Sequence, residues 1–218
     1  MENNLQEMNI DDWVLKVRQP QGPGPHPVII MNHGWTGDEN SMWVFAAKLP
    51  TNALVIAPRA PHLSTHPEYG GYSWINHKSG DWPWLDDFRP PVAALAQLIS
   101  RLPAHLPADY TKFSLVGFSQ GAALSYVFAL LHPRRIDRLA GLAGFLPERS
   151  DSAIASQPLR GLPVFVAHGA YDKIVPLPLA RQAVASLTQA GANLTFCQGE
   201  VGHKLGANCF SALQSFFA

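Results

Sequence analysis

Short runs of β-branched and aliphatic residues recur along this chain, each closed by a turn containing Gly, Pro or His. Most are followed by a longer segment with apolar residues at helical spacing. The runs are Val28 to Met31, Leu54 to Ala57, Phe113 to Val116, Leu139 to Ala143, Val164 to Ala167 and Leu194 to Cys197. Most are continuous and do not alternate, which predicts strands covered on both faces. Trp13 to Val17 does alternate, so it reads as an edge strand paired antiparallel with a partner across the Pro-rich loop "QPQGPGPHP". Helices are predicted over Pro91 to Arg101, Gln120 to Leu131, Leu177 to Ala190 and Leu205 to Phe217. In the last, Leu205, Cys209, Leu213 and Phe216 share one stripe, and a core-packing helix fits it better than a membrane-surface helix because the polar face has no basic cluster. The alternation of strand and helix predicts an α/β fold with a mostly parallel central sheet and helices on both faces.

Composition narrows this further. A chain of 218 residues, 47% hydrophobic and 15% charged, can bury a sizeable core, and no charge run or Gly/Ser tract divides it, so one domain over 1–218 is expected. Sixteen basic residues balance sixteen acidic ones, which gives no broad positive field for nucleic acid and points to a small-molecule partner. No apolar stretch reaches the roughly 20 residues that span a bilayer, and the N-terminus "MENNLQEMNIDDW" has acids where a signal peptide would have Lys or Arg. A cytoplasmic protein without stable membrane insertion is expected, either monomer or homodimer. Cys197 and Cys209 are too few for a disulfide framework and show no zinc-site spacing, so reduced, packed thiols and no metal are expected.

The chemistry centres on "GFSQG", Gly117 to Gly121, where the run "FSLVGF" gives way to the helical "QGAALSYVFALL". A G-x-S-x-G sequence between a buried strand and a helix is the context of a nucleophile elbow. The sharp reversal leaves no room for side chains at Gly117 and Gly121 and holds Ser119 in a strained backbone conformation. A serine hydroxyl needs a general base, and the base an orienting acid, in the chain order Ser, acid, His. Of nine histidines, His203 alone follows the penultimate strand, in the loop "GEVGHKLG". Five acids lie between Ser119 and His203: Asp137 precedes a strand, Glu148 and Asp151 sit in a polar loop, Glu200 is merely close in sequence, and Asp172 follows "VFVAHGAY" at a strand's C-terminal end. Ligand-binding and catalytic groups collect at that end of an α/β sheet, so Asp172 is the candidate. An oxyanion hole is expected from the backbone N–H of Gln120 and of Trp35, in the loop "NHGWTGDEN". His33 and His168, each before a Gly at a strand end, are expected to bond local backbone.

"NHGWTGDEN", "APRAP", "GGYSW", "GFSQG", "LAGFLP", "HGAYDKIVP" and "GHKLG" together resemble the phospholipase/carboxylesterase family of α/β-hydrolases, which includes acyl-protein thioesterases. The resemblance runs from about Val28 to the C-terminus. It implies an α/β-hydrolase fold with minimal or no lid and a serine hydrolase acting on carboxylic esters or thioesters, without metal or cofactor. It carries the triad onto Ser119, Asp172 and His203 and the oxyanion amides onto Trp35 and Gln120. Two positions depart from the family: Trp35 stands where a small aliphatic residue is usual, and Ala122 where a second Gly is. Trp74, Trp82 and Trp84 either wall an acyl pocket or anchor a long loop, and Phe145, Val175 and Leu205 are further pocket candidates. A Ser at 119 disfavours a dienelactone hydrolase, whose nucleophile is usually Cys, and the intact triad disfavours a non-catalytic binding protein.

Overall fold

The computed structural model describes residues 5–64, 68–76 and 82–218. The N-terminal residues 1–4 and part of the aromatic segment after Trp74, residues 77–81, lie outside that description. The strands are β1 (Leu5–Ile10), β2 (Trp13–Arg18), β3 (Val28–Asn32), β4 (Leu54–Pro58), β5 (His62–Leu63), β6 (Tyr72–Ser73), β7 (Phe113–Phe118), β8 (Ile136–Leu142), β9 (Pro163–Gly169) and β10 (Asn193–Gly199). The α-helices are α1 (Trp43–Ala46), α2 (Leu85–Arg101), α3 (Gln120–Leu131), α4 (Asp151–Ile154), α5 (Leu177–Gln189) and α6 (Ala207–Phe217). An eight-stranded sheet has the order β1-β2-β4-β3-β7-β8-β9-β10. It is parallel from β4 to β10, and β1 and β2 join antiparallel at one edge.

The continuous apolar runs have a simple cause. Successive side chains of a strand point to opposite faces, and here both faces are covered. Val28 and Ile30 enter one core with Leu54, Ile56, Leu115 and Val166, packed under α2, α3, α4 and α5. Ile29 and Met31 enter a second core with Val55, Val116 and Phe165, under α1 and α6. No helix among the described residues is long and apolar enough to cross a membrane.

Four expectations are corrected. β2 is not the sheet edge: β1, whose residues Leu5 to Glu7 are exposed, pairs with it along its length and takes that place. The second partner of β2 is β4, beyond the Pro-rich loop and beyond β3. Helix α2 begins at Leu85 and not at Pro91. The backbone N–H of Trp84 is capped by Asp87 Oδ2 at 2.8 Å, and two acids occupy the first turn, where the helix dipole favours them. Pro90 and Pro91 fall in the second turn, and a proline pair ordinarily reads as a start because it has no N–H to give a preceding carbonyl. Helix α6 starts at Ala207, so Leu205 precedes it and Phe217, not Phe216, completes its buried stripe with Cys209 and Leu213. Finally, Cys197 and Cys209 are joined in a disulfide. The end of β10 lies beside the first turn of α6 with a Cα separation of 5.7 Å, within bridging range, and a count of cysteines carries no information about that approach.

Candidate active site

Ser119 sits between β7 and α3 with φ 53° and ψ −118°, a positive φ that non-glycine residues rarely adopt. The surroundings enforce it. The Ser119 N–H donates to Leu142 O at 2.8 Å, and the Ser119 carbonyl accepts from Ala122 and Ala123 of the first helical turn. A Cβ on Gly117 would lie 2.2 Å from the carbonyl oxygen of Gly121, so strand and helix backbones touch there. A Cβ on Gly121 would lie 2.1 Å from Asn32 O, which shows that the second elbow glycine admits the end of the neighbouring strand β3. Ala122 is accommodated because Gly144 faces it: a Cβ on Gly144 would lie 2.3 Å from the Ala122 methyl. Gln120 is the first residue of α3, so its N–H has no preceding helical carbonyl to pair with and points out of the helix end.

Asp172 and His203 are brought together. His203 Nδ1 lies 2.7 Å from Asp172 Oδ2, while Asp172 Oδ1 accepts from the N–H groups of Ile174 and Val175, each at 2.9 Å. Asp172 is buried and the His203 side chain is 21% exposed. With the carboxylate ionised, Nδ1 must carry the proton that bonds it, which leaves Nε2 as the basic nitrogen of neutral His203. The two loops are laced by backbone: Ala170 N–H donates to Gly199 O at 2.7 Å and Tyr171 N–H to Val201 O at 2.9 Å. The Phe118 ring lies 5.0 Å from that of His203. Ser119, Asp172 and His203 therefore occupy one edge, beyond the C-terminal ends of β7, β9 and β10.

The loop after β3 presses on the elbow. A Cβ on Gly34 would lie 3.2 Å from Ser119 Cβ. His33 shapes this loop: the Ala60 N–H donates to its Nε2 at 3.0 Å, so Nδ1 holds the proton, donated to Gly34 O at 2.7 Å. That requires a neutral ring, and burial pushes the His33 pKa below its ordinary value. His168 Nε2 lies 2.8 Å from Val175 O and 3.4 Å from Asp172 Oδ2, and burial lowers its pKa as well. Both histidines bond local backbone.

Beside the elbow lies a cleft of about 520 Å³ whose walls are mainly Trp35, Met42, Phe45, Phe118, Leu205 and Phe210, with Val44 and Lys204 at its lining. Rings stack along it, Phe210 on Phe45 and Phe45 on Phe118, each pair at 5.7 Å. Of the pocket candidates, Leu205 is on this cleft. Trp74 is not: it is fully buried (0%), with its indole N–H donated to His33 O at 2.7 Å, and it anchors a loop. Trp82 packs against Phe145 at 4.8 Å, Trp84 carries the Arg149 guanidinium 3.4 Å from its ring centroid, and the Val175 N–H donates to Asp172; none of these four candidates lines this cleft. Met42, Val44, Phe45, Phe118 and Phe210 escaped the sequence reading. Phe118 was in plain view inside "GFSQG", whereas α1, which supplies Phe45, has too few residues to show a helical period.

A model of the phospholipase/carboxylesterase family matches residues 14–218. The chain is 32% identical over 194 residues to acyl-protein thioesterase 1 of Eremothecium gossypii, covering 80% of this chain and 77% of that one. It is 26% identical to a putative 2-succinyl-6-hydroxy-2,4-cyclohexadiene-1-carboxylate synthase of Bacillus subtilis, covering 82% of this chain and 61% of that one. The crystal structure of a carboxylesterase from Mesorhizobium loti superposes with a TM-score of 0.81 at 18% identity, covering 98% of both chains, a likeness of fold.

Proposed function

Because the chain belongs to the phospholipase/carboxylesterase family of α/β-hydrolases, a family of serine hydrolases, we propose that it cleaves carboxylic esters through an acyl-enzyme on Ser119. His203 is the general base and Asp172 its orienting acid. The observation that carries this reading is the 2.7 Å bond between His203 Nδ1 and Asp172 Oδ2, on the same sheet edge as a serine held at φ 53°.

The steps follow from the protons already assigned. Ser119 Oγ attacks the ester carbonyl while Nε2 of His203 takes its proton, and the buried Asp172 carboxylate stabilises the imidazolium that forms. The charge on the carbonyl oxygen is met by the backbone N–H groups of Gln120 and Trp35, and each such donor contributes about 3 to 4 kcal/mol to the transition state. The imidazolium then gives its proton to the departing alcohol. Water enters and attacks the acyl carbon as Nε2 takes its proton, and the acid leaves as the Ser119 Oγ–acyl bond breaks and Oγ recovers the proton from the imidazolium. The apolar cleft along Phe118 and Leu205 receives an apolar part of the substrate. A thioester would follow the same course with a thiol as leaving group, a second reading favoured by the relative named as an acyl-protein thioesterase.

Kinetics on p-nitrophenyl esters and matched thioesters of graded chain length test the reading. Ser119→Ala is expected to abolish both activities while the variant keeps its fold; hydrolysis by Ser119→Ala at the wild-type rate would refute it.

A further inference from the structure

The segment Gly71 to Trp74 forms a clasp over the loop that follows β3. Tyr72 O accepts from the Thr36 N–H, and the Tyr72 N–H donates to Gly37 O, each at 2.9 Å. On the near side of the loop the Trp74 indole N–H donates to His33 O at 2.7 Å, and the Trp74 ring lies 5.1 Å from that of His33. Gly34 and Trp35 are thus held from both flanks. The same segment also grips the elbow. The Trp74 backbone N–H donates to Gln120 Oε1 at 2.9 Å, and Gln120 Nε2 donates to Ser73 Oγ at 3.1 Å, whose own proton goes to Ile75 O at 2.7 Å. Ser73, Trp74, His33 and Gln120 are all buried.

The two amides assigned to the oxyanion arise from these two segments. The Gln120 amide is set by the start of α3, but the Trp35 amide belongs to irregular backbone whose position its neighbours must determine. We propose that Trp74 is a positioning residue for the oxyanion site: through its indole and backbone N–H groups it fixes the separation of the Trp35 and Gln120 amides. The inference rests on the acyl-transfer reading above. Trp74 touches neither substrate nor reacting atoms, being sealed behind the loop. Its effect is therefore on a distance, and displacing a catalytic donor by about 1 Å can cost on the order of 100-fold in rate.

Trp74→Phe keeps an aromatic ring against His33 and removes the indole N–H, and Gln120→Met keeps side-chain length while removing both amide contacts. For Trp74→Phe, kcat with p-nitrophenyl butyrate, normalised to sites titrated by a fluorophosphonate, is expected to fall about 10- to 100-fold with KM within about twofold. The inhibition constant for phenylboronic acid, whose tetrahedral adduct presents an oxygen to the same donors, should rise by a similar factor. Gln120→Met should shift kcat and boronate binding in the same direction, and it carries the test if Trp74→Phe does not fold. A purely structural role would lower Tm and leave kcat per titrated site and boronate affinity at wild-type values in the folded variants, and that result would overturn the proposal. The underlying reading fails separately, in the wild type, if the fluorophosphonate does not label Ser119.

Discussion

The two sides of this site are held by different means. On the elbow side, strain at Ser119 is enforced by close backbone contact at Gly117 and Gly121, and the neighbouring loop is held by buried hydrogen bonds that Trp74 donates to Gln120 and His33 and that His33 accepts from Ala60. On the base side, the half-buried His203 is held by one carboxylate, by backbone pairing between its loop and that of Asp172, and by a disulfide whose two cysteines bracket it at positions 197 and 209. The difference fits the tasks proposed for the two sides. Donors to an oxyanion work only if they need not move when charge develops, and buried, hydrogen-bonded packing suits that proposed role. A base that exchanges protons with serine, leaving group and water has to stay reachable, and its loop is steadied from behind.

The base side should break most completely at Asp172. Asp172→Asn preserves volume but can donate to Nδ1, favouring the tautomer that leaves Nε2 protonated, and kcat should drop by about 10⁴-fold with little change in secondary structure. Steady-state kinetics with circular dichroism check this. The elbow side should break through its backbone. Gly121→Ala puts a methyl 2.1 Å from Asn32 O, against a strand that cannot retreat, and should cost about 3 kcal/mol in denaturant unfolding. Removing the bridge is a milder insult to the base side. Replacing Cys197 and Cys209 together by serine opens a loop of sequence separation 12, and about 2 to 3 kcal/mol of stability should be lost, read by the same unfolding curves. Mass analysis after alkylation should find no free thiol in the wild type.

The smallest effect tests both sides together. Burial depresses the pKa of His33, on the elbow side, and of His168, on the base side. The unfolded chain then binds protons that the folded chain refuses, so stability is fully present above the ordinary histidine value of about 6.5 and falls as pH drops below it. Each ring contributes a slope of at most about 1.4 kcal/mol per pH unit. Unfolding at pH 7.5 and 5.5 at constant ionic strength should show the loss, and His33 should account for part of it, because protonating Nε2 forfeits the bond from Ala60.

What could be read from the residues, and what could not, follows the range of the interactions. The doubly covered strands announce themselves as unbroken apolar runs, and the elbow as a short motif between one such run and a helix. The meeting of Asp172 and His203 at 2.7 Å was reachable by elimination, because chain order and sheet edge together left one residue of each kind. Strand β1 stayed hidden because its outer residues are exposed and carry no core pattern. The disulfide depends on where α6 returns beside β10, a distance set by tertiary packing. Trp74 shows the same limit: an aromatic in "GGYSW" could face substrate or core, and only the partners of its indole N–H decide.

Covalent trapping of Ser119 tests the central claim most directly. Wild-type protein treated with a fluorophosphonate and digested should carry the phosphonyl group on the peptide containing Ser119. Labelling should be absent in Ser119→Ala and slowed at least 100-fold in His203→Ala. Stoichiometric labelling at another residue, or equal labelling of Ser119→Ala, would contradict the assignment of Ser119 as the nucleophile.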